Sequence, residues 1–436
     1  MKKTQLRRWV MMVVGGFVFC LLSEAASESA VRSSSQSRQT KSAVSAKRSP
    51  ARTVQAKKAK QTKRPKVRKA RKVRRAVRGR AVKRRATQPA KAFEAVLLQD
   101  AETGQILRAQ ESDKQWPAAS LTKLMVGLLV LEAIEHGRLS LDTPVVITRR
   151  ASHAGGRTIN LRAGQIFPLD ELLRAMIVTS ANDASVAIAE RLEGSVEACA
   201  LAMNKRAQEL GMSQSRFQTP NGMPLRDGTA ADVSSATDMA ILTRALLRYP
   251  QILQWTALDE VPFRGGQVML PNTNRLVKSM DGVDGLKTGF TSKARYNLVA
   301  TAQRGQTRLI AVVLGAPSSG TRFRTAANLL EWGFENFTRL RLIEEGASLG
   351  SQVRVEHGSV STLQPIAASD AVLLVPKSEA ADLHISLQVP STVSAPISRH
   401  QILGGAVVQS GTRILTVIPA LSPWDIPEVR WFPAQH

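Results

Sequence analysis

The feature that most limits how this chain can fold is a stretch of 61 residues, 31–91, with 24 Lys and Arg and no Asp or Glu. The stretch has no aromatic residue, and Val is its only branched aliphatic residue. Such a segment cannot bury enough apolar surface to offset its chain entropy, so we expect a disordered basic linker over residues 26–91. Residues 92–436 hold 33 basic and 32 acidic residues, so the part that folds is nearly neutral although the whole chain carries +27.

The start of the chain has the layout of a secretory signal peptide, which we place at residues 1–25. Four basic residues precede an apolar run from Trp9 to Leu22, and Ser23-Glu24-Ala25 supplies a small-x-small cleavage site. The run has 14 residues, whereas a membrane-spanning helix needs about 20. We therefore expect an exported protein of the periplasm or another extracytoplasmic part of the cell envelope.

The composition of the basic linker leaves two interpretations open. One is a solvated tether, and the other is adhesion to anionic envelope polymers or lipid head groups. Because an exported protein does not meet the chromosome, we expect no nucleic acid as a partner.

Cysteine and histidine usage gives no support for a metal site. Cys20 and Cys199 are the only cysteines, and the six His lie far apart with no His-Glu-x-x-His pattern. A disulfide scaffold and a Cys-rich zinc module are therefore excluded, and we expect neither a metal nor a cofactor. Cys199 falls in a helical pattern, which favours a small buried apolar residue.

Hydrophobic periodicity after residue 91 predicts an α+β fold with two domains, 92–338 and 339–436. Short runs around the turn Asp100–Gly104 predict a β-hairpin, and Ala118–His136 predicts a helix that is apolar nearly all round. Other predicted elements of the first domain are Leu169–Val178, Ala184–Leu192, Val196–Leu210, Ala230–Leu247, Asn297–Ala302, Leu309–Leu314 and Thr321–Phe337. From Arg339 onward, short alternating runs separated by turn residues predict an all-β domain.

The first candidate catalytic motif is Ser120-Leu121-Thr122-Lys123, the only Ser-x-x-Lys in the chain. Residues three apart lie on one face of a helix, with Cβ atoms about 5–6 Å apart. A serine alcohol needs a base to take its proton, and a Lys in an apolar pocket has a lowered pKa and can be that base. The alternative is an N-capping Ser followed by a surface Lys.

Two further motifs carry side chains suited to a peptide substrate. Ser180-Ala181-Asn182 falls between two predicted helices, where Ser can relay a proton and Asn can orient an amide; the alternative is an N-cap for the second helix. Lys287-Thr288-Gly289 falls on a predicted strand. Its Lys and Thr can bind a carboxylate and its Gly lets a peptide come close, unless it is only an edge strand whose Lys resists aggregation.

The three motifs occur once each, in the order known from class A β-lactamases and penicillin-binding proteins. Their surroundings narrow the resemblance to the low-molecular-mass penicillin-binding proteins, the serine-type D-alanyl-D-alanine carboxypeptidases. The matching stretches are Pro117–Met125, Ser180–Ala184, Phe217–Gly222, Asp281–Thr291 and Tyr296–Ala300. The resemblance implies a β-lactamase/transpeptidase-like catalytic domain over 92–338 and, more loosely, a C-terminal β-rich domain over 339–436.

The resemblance also implies an activity and roles for named residues. The enzyme would remove the terminal D-alanine from peptidoglycan stem pentapeptides through an acyl-serine intermediate, and β-lactams would inhibit it covalently. The implied catalytic residues are Ser120 as nucleophile, Lys123 as its general base and Ser180 as proton relay. Substrate binding would fall to Asn182, Lys287, Thr288, Gly289 and Arg322, the last being the Arg found 35 residues past Lys287.

Two positions depart from the family pattern. Members usually have Gly where this chain has Arg295, and a bulky cation beside the substrate strand would alter specificity. Many members end in an amphipathic helix that binds the membrane. Three prolines, Pro423, Pro427 and Pro433, interrupt that helix here, so we expect no C-terminal amphipathic anchor.

Three other functions are alternatives to a carboxypeptidase. A class A β-lactamase needs an additional Glu, some tens of residues past the Ser-x-Asn, to activate water. Between Leu201 and Pro250 the only Glu is Glu209, inside a predicted helix, which disfavours a β-lactamase. A closely related DD-endopeptidase and a non-catalytic envelope-binding protein are the remaining alternatives.

Overall fold

The structure is a computed structural model that describes residues 92–224 and 232–429, so the predicted signal peptide and basic linker lie outside the described residues. Strands of the N-terminal domain are β1 (Ala95–Asp100), β2 (Ile106–Gln110), β3 (Trp116–Pro117), β4 (Pro144–Val146), β5 (Ile166–Pro168), β6 (Val233–Ser234), β7 (Glu260–Phe263), β8 (Val268–Pro271), β9 (Val283–Thr291), β10 (Arg295–Arg304) and β11 (Thr307–Ala316). Its helices are α1 (Lys123–Glu135), α2 (Arg149–Ser152), α3 (Leu169–Arg174), α4 (Asn182–Glu193), α5 (Val196–Glu209), α6 (Ala236–Leu246), α7 (Pro250–Thr256), α8 (Leu276–Ser279) and α9 (Ser319–Asn336).

Five of these strands form one antiparallel sheet in the order β2-β1-β11-β10-β9. Successive side chains of a strand point to opposite faces, and both faces of β1 are buried. Ala95 and Leu97 join the core on the α1 side, whereas Val96 and Leu98 join the core on the α9 side. The domain therefore has three layers, helices, sheet and helix, which confirms the predicted α+β class.

Helix α1 lies in the middle of the larger helical layer. All nine residues from Lys123 to Leu131 are buried, and the helix packs against α4, α5 and α6. A helix that is apolar all round must be enclosed on all sides, so the predicted central helix is confirmed.

The predicted helix Ala118–His136 is nevertheless divided near its start. Ala119 has φ +49°, in the left-handed region that an α-helix of L-residues does not use. Residues Ala119–Thr122 therefore form a 3₁₀ turn, and α1 begins only at Lys123. Ser120 lies in that turn, just before the helix, and not in the helix's first turn as predicted.

The helix predicted over Ala230–Leu247 also begins later, at Ala236 in α6. Val233 and Ser234 instead pair with β3, which ends one residue before the Ser120 turn begins. Ser235 then caps α6, because its side chain accepts a hydrogen bond from the main-chain N–H of Asp238.

Residues 250–279, for which no element was predicted, form α7, the β7–β8 hairpin and α8. The hairpin turn holds three left-handed residues in a row, Arg264, Gly265 and Gly266. Glu171 of α3 fixes this turn, because its carboxylate accepts hydrogen bonds from the main-chain N–H groups of Arg264 at 2.7 Å and Gly265 at 3.2 Å.

The C-terminal domain is all-β, as predicted, apart from a short 3₁₀ turn at Ala380–Asp382. Its strands are β12 (Phe337–Ile343), β13 (Val353–Glu356), β14 (Thr362–Leu363), β15 (Ile366–Ala367), β16 (Ala371–Pro376), β17 (Leu383–Gln388), β18 (Thr392–Ser394), β19 (Ile402–Ser410) and β20 (Arg413–Leu421). They form the sheets β12-β16, β14-β13-β18 and β15-β20-β19-β17. The change from helix to strand falls after Asn336, close to the predicted division at residues 338 and 339.

A buried ion pair joins the two domains. Arg339 of β12 binds Asp100 at the end of β1, and the two side chains are 3% and 0% exposed. Because desolvating two charges is repaid only when their geometry is fixed, this pair fixes β12 relative to the end of β1. Leu374 of β16 adds an apolar contact with the core on the α9 side.

The helices of the described residues are too short or too polar to cross a lipid bilayer.

Candidate active site

The Ser120 turn is held against the sheet by its backbone. Asn297 of β10, fully buried, donates its side-chain amide to the carbonyl oxygens of Pro117 at 2.9 Å and Ala118 at 3.2 Å. Its amide oxygen accepts from Gly315 of β11. The Asn297 side chain thus links the segment before Ser120 to β10 and β11, and it fixes the position of Ser120 relative to the sheet.

Gly222 supports the same turn from the other side. A Cβ at Gly222 would lie 2.0 Å from the carbonyl oxygen of Ala119 and 2.9 Å from the N of Ser120, and its φ is +78°. Only glycine fits there. The buried carboxylate of Asp232 holds this loop by accepting hydrogen bonds from Gln218 and Thr219, and the Thr219 hydroxyl accepts from the N–H of Gly222.

Lys123 is completely buried and its amine reaches three oxygens. Its Nζ lies 3.0 Å from Ser120 Oγ, 2.7 Å from Asn182 Oδ1 and 2.8 Å from the carbonyl oxygen of Asn221. Burial lowers the pKa of Lys123 to about 7, although the more distant carboxylates of Asp232 and Asp183 act to raise it. A surface lysine, the alternative left open by the sequence, is wrong.

The second motif lies at the junction of α3 and α4. Helix α3 ends at Arg174 and is followed by a π-turn, Ala175–Thr179. The helix predicted over Leu169–Val178 is therefore α-helical only in its first part and has π-type hydrogen bonds in its last part. Single π-turns often occur at functional sites. Ser180 follows with φ +70° and lines the same cleft as Ser120.

Asn182 does not cap α4, so the capping alternative is wrong. Its side-chain amide donates to the carbonyl oxygen of Gly155 at 2.6 Å, which leaves its Oδ1 facing Lys123. The next residue, Asp183, accepts hydrogen bonds from the main-chain N–H groups of Ile159 and Leu161. The Ser-x-Asn segment therefore both contacts Lys123 and fixes the loop of residues 155–161.

The third motif lies on β9, at the edge of the sheet, directly beside the Ser120 turn. A Cβ at Gly289 would lie 3.1 Å from the carbonyl oxygen of Ala118 and 3.4 Å from the Cβ of Ala119. Thr288 and Gly289 line the cleft, and Lys287 is 1% exposed. Burial lowers the pKa of Lys287 far below its usual value, and the charges of Lys123, Arg322 and Arg157 lower it further. β9 is an edge strand, but Lys287 is buried. The alternative in which Lys287 is an exposed lysine that resists aggregation is therefore wrong.

Arg322, and not its neighbour Arg324, lies at the cleft. Its guanidinium donates to the carbonyl oxygens of Gly289 at 3.2 Å and Asn297 at 3.1 Å, and it is 8% exposed, whereas Arg324 is exposed. Burial lowers the pKa of Arg322 to about 10. The ring of Tyr296 lies 5.4 Å from its guanidinium carbon and confines the side chain.

The cleft that unites these residues has a volume of about 670 Å³ and a cationic lining. Arg157, Arg275 and Arg322 line it together with Ser120, Ser180 and Asn182, and no described Asp or Glu does. Glu209 lies away from it, in α5, paired with Arg206 on the surface. Within the described residues, the cleft thus holds no carboxylate that could activate water.

Arg295 does not lie in the cleft lining. It has φ +56°, which explains why glycine suits this position, and its guanidinium pairs with Glu94 and stacks 5.4 Å from the centre of the Trp116 ring. The expected effect of its charge on specificity therefore finds no support in the geometry.

Sequence reasoning missed several residues that shape the site. Asn221 supplies a carbonyl oxygen to Lys123, Asn297 anchors the Ser120 turn, and Arg157 and Arg275 add charge to the cleft. Asn221, Gly222 and Asn297 occur in the stretches that carry the family resemblance, which was the one available signal for them. Arg157 and Arg275 have no such signal.

The comparisons with known proteins agree with this geometry. A family model described as D-alanyl-D-alanine carboxypeptidase matches residues 82–318, and a model of the penicillin-binding protein 5 C-terminal domain matches residues 337–428. The D-alanyl-D-alanine carboxypeptidase DacF of Bacillus subtilis is 32% identical over 347 residues, which cover 79% of this chain and 88% of the relative.

Solved structures with the same fold include two penicillin-binding proteins. Penicillin-binding protein 5 of Haemophilus influenzae has a TM-score of 0.67 at 30% identity, over 78% of this chain and 99% of that one. Penicillin-binding protein D2 of Listeria monocytogenes in its ampicillin-bound form has a TM-score of 0.52 at 34% identity, over 57% and 100%. The family suggested by the three motifs is confirmed: this chain belongs to the D-alanyl-D-alanine carboxypeptidase family of penicillin-binding proteins.

Proposed function

We propose that this protein removes the terminal D-alanine from peptidoglycan stem pentapeptides, with Ser120 as nucleophile and Lys123 as general base. The observation that carries the proposal is the set of three contacts of Lys123 Nζ. A neutral amine has two N–H groups and one lone pair. The carbonyl oxygens of Asn182 and Asn221 accept the two N–H groups, so the lone pair is left for the Ser120 hydroxyl at 3.0 Å.

In the acylation step, Ser120 Oγ attacks the carbonyl carbon of the penultimate D-alanine while its proton passes to Lys123 Nζ. The negative charge that develops on the substrate oxygen is stabilised by main-chain N–H groups, that of Ser120 and one from β9. The C–N bond then breaks, and Ser180 relays the proton held by Lys123 to the amine of the departing D-alanine, which leaves Lys123 neutral again. Water hydrolyses the acyl-serine and restores the free hydroxyl.

The rest of the site orients the substrate. In this proposal Asn182, which lines the cleft, orients the substrate's amide. Lys287, Thr288 and Gly289 belong to the strand along which the C-terminal side of the peptide lies. Arg322 supplies a charged fork for the terminal carboxylate, for which guanidinium geometry is suited. The absence of a described carboxylate from the cleft favours long-lived acylation by β-lactams over their rapid hydrolysis.

We place the enzyme in the cell envelope on sequence grounds alone. Residues 1–25 would direct export, and residues 31–91 would bind an anionic envelope surface through their 24 positive charges. Both segments lie outside the described residues.

The reaction is tested with the mature chain and three compounds: a stem pentapeptide, a cross-linked tetrapeptide–pentapeptide dimer and penicillin, with products identified by mass. We expect release of one D-alanine from the pentapeptide, an intact cross-link in the dimer and a stable penicilloyl adduct.

Ser120→Ala should lower D-alanine release by about 10³-fold or more and abolish the adduct. Ser152→Ala, a serine outside the cleft, serves as the control. Adduct formation by Ser120→Ala would disprove the nucleophile assignment, and cleavage of the cross-link would point to an endopeptidase.

The pH dependence follows from the lowered pKa of Lys123, about 7. Only the unprotonated amine accepts the serine proton, so the rate constant of acylation by penicillin should fall about tenfold per pH unit below 7 and level off above 8. The rate is measured by stopped-flow from pH 5.5 to 9.5, with protein integrity followed by circular dichroism. A rate that is flat across this range, or that rises only above pH 9, would contradict Lys123 as the base.

The role of the basic segment is tested by co-sedimentation with anionic vesicles at low and high salt. Each basic residue near an anionic surface contributes up to about 1 kcal/mol, and salt screens the attraction. We therefore expect the mature chain to sediment with the vesicles at low salt only, and a form lacking residues 31–91 to stay in solution. Neutral vesicles are the control. Equal sedimentation of both forms at low salt would leave the segment as a tether.

A further inference from the structure

Next to the active-site cleft lies a second cavity of about 480 Å³, which we call the arginine pocket. It lies between the loop of residues 157–162 and the β7–β8 hairpin, and it shares Arg157 and Pro271 with the cleft. Arg322, which would hold the terminal carboxylate, lines the cleft but not this pocket. A substrate anchored at Arg322 and Ser120 therefore has space for its upstream residues towards Arg157.

The lining of the arginine pocket is cationic. Arg157, Arg162 and Arg264 line it, and no described Asp or Glu does. None of the three forms an ion pair with a carboxylate within the described residues, whereas Arg295 and Arg339 do. Arg157 and Arg162 are exposed and Arg264 is half-buried. Arginines that line one cavity without a carboxylate partner favour an anionic ligand.

Arg264 is held in place before any ligand binds. Its guanidinium carbon lies 5.6 Å from the centre of the Phe263 ring and 5.9 Å from that of Phe167, and its main-chain N–H is bound by Glu171. The side chain is half-buried between these groups. Since little side-chain freedom remains to be lost on binding, Arg264 is well suited to a specific contact.

We propose that the arginine pocket binds a free carboxylate on the part of the stem peptide upstream of the scissile bond, and so selects acidic stem peptides. A stem peptide that contains glutamate and a diamino-dicarboxylic acid at the third position would offer two such carboxylates, one on each residue. Phe263, Val268 and Leu270 provide an apolar wall for the methylene groups of such residues. The inference rests on the proposed function, because a stem peptide reaches the pocket only when Ser120 holds it.

The test compares D-alanine release from three pentapeptides: one with both carboxylates free, one amidated at the glutamate and one amidated at the third residue. We expect one amidated form to have a KM about five- to tenfold higher, with kcat little changed, and the identity of that form tells which carboxylate binds. Arg264→Gln and Arg162→Gln should raise the KM for the free peptide to that of the amidated one. They should leave the rate of acylation by penicillin unchanged, which also shows that the variants are folded.

Arg248→Gln is the matched control, because Arg248 lines a separate cavity with Arg244 and Arg308. It should keep the preference for the free carboxylate. Equal KM values for the three peptides would refute carboxylate binding in the arginine pocket. An equal rise of KM for all three peptides in the Arg264 and Arg162 variants would refute it too. Neither result would affect the assignment of Ser120 as nucleophile. Failure to release D-alanine from any of the peptides would instead refute the proposed function.

Discussion

The site depends on the burial of one amine, that of Lys123, without a carboxylate in contact with it. A charged ammonium in such a place is unfavourable, so burial lowers the pKa of Lys123 to about 7. Protein oxygens surround the amine, and their positions fix the direction of its lone pair. Three features maintain this arrangement. Helix α1 is apolar on all sides, the side chain of Asn182 is hydrogen-bonded to Gly155, and Asp232 fixes the loop that contains Asn221.

The close approach of backbones is the second requirement. The Ser120 turn, which directly precedes α1, is in contact with two segments that are distant in the sequence: the loop before α6 and the edge strand β9. Two glycines permit this contact, Gly222 against Ala119 and Gly289 against Ala118. Asn297 then ties the turn to β10 and β11. The nucleophile is thereby held on rigid elements, which preorganises it for attack.

The sequence predicted the parts of this architecture whose signals are local. The periodicity of α1 and the alternation of the strands were enough for the α+β class. The three motifs singled out Ser120, Lys123 and Ser180, which the fold brings to one site, whereas their catalytic roles stay predictions. It did not predict that Ala119 would be left-handed, because the backbone that packs against Ala119 is that of Gly222, about a hundred residues away in the sequence. Nor did it predict the positive charge that Arg157 and Arg275 add to the cleft, or the place of Arg264 in the arginine pocket. These residues stand in unrelated segments, and only the tertiary fold brings them to the two cavities.

The central claim, that Lys123 is neutral and acts as the base, is tested most directly by its own titration. Lysine labelled with ¹³C at Cε is followed by NMR between pH 5 and 11 in the mature chain, and Lys123→Arg and Lys287→Arg assign the two buried residues. The account predicts a Cε resonance that disappears in Lys123→Arg and titrates near pH 7, well below the usual value for lysine. A Lys123 resonance that titrates only above pH 10 would contradict it, because the amine would then be protonated at the pH at which the enzyme works.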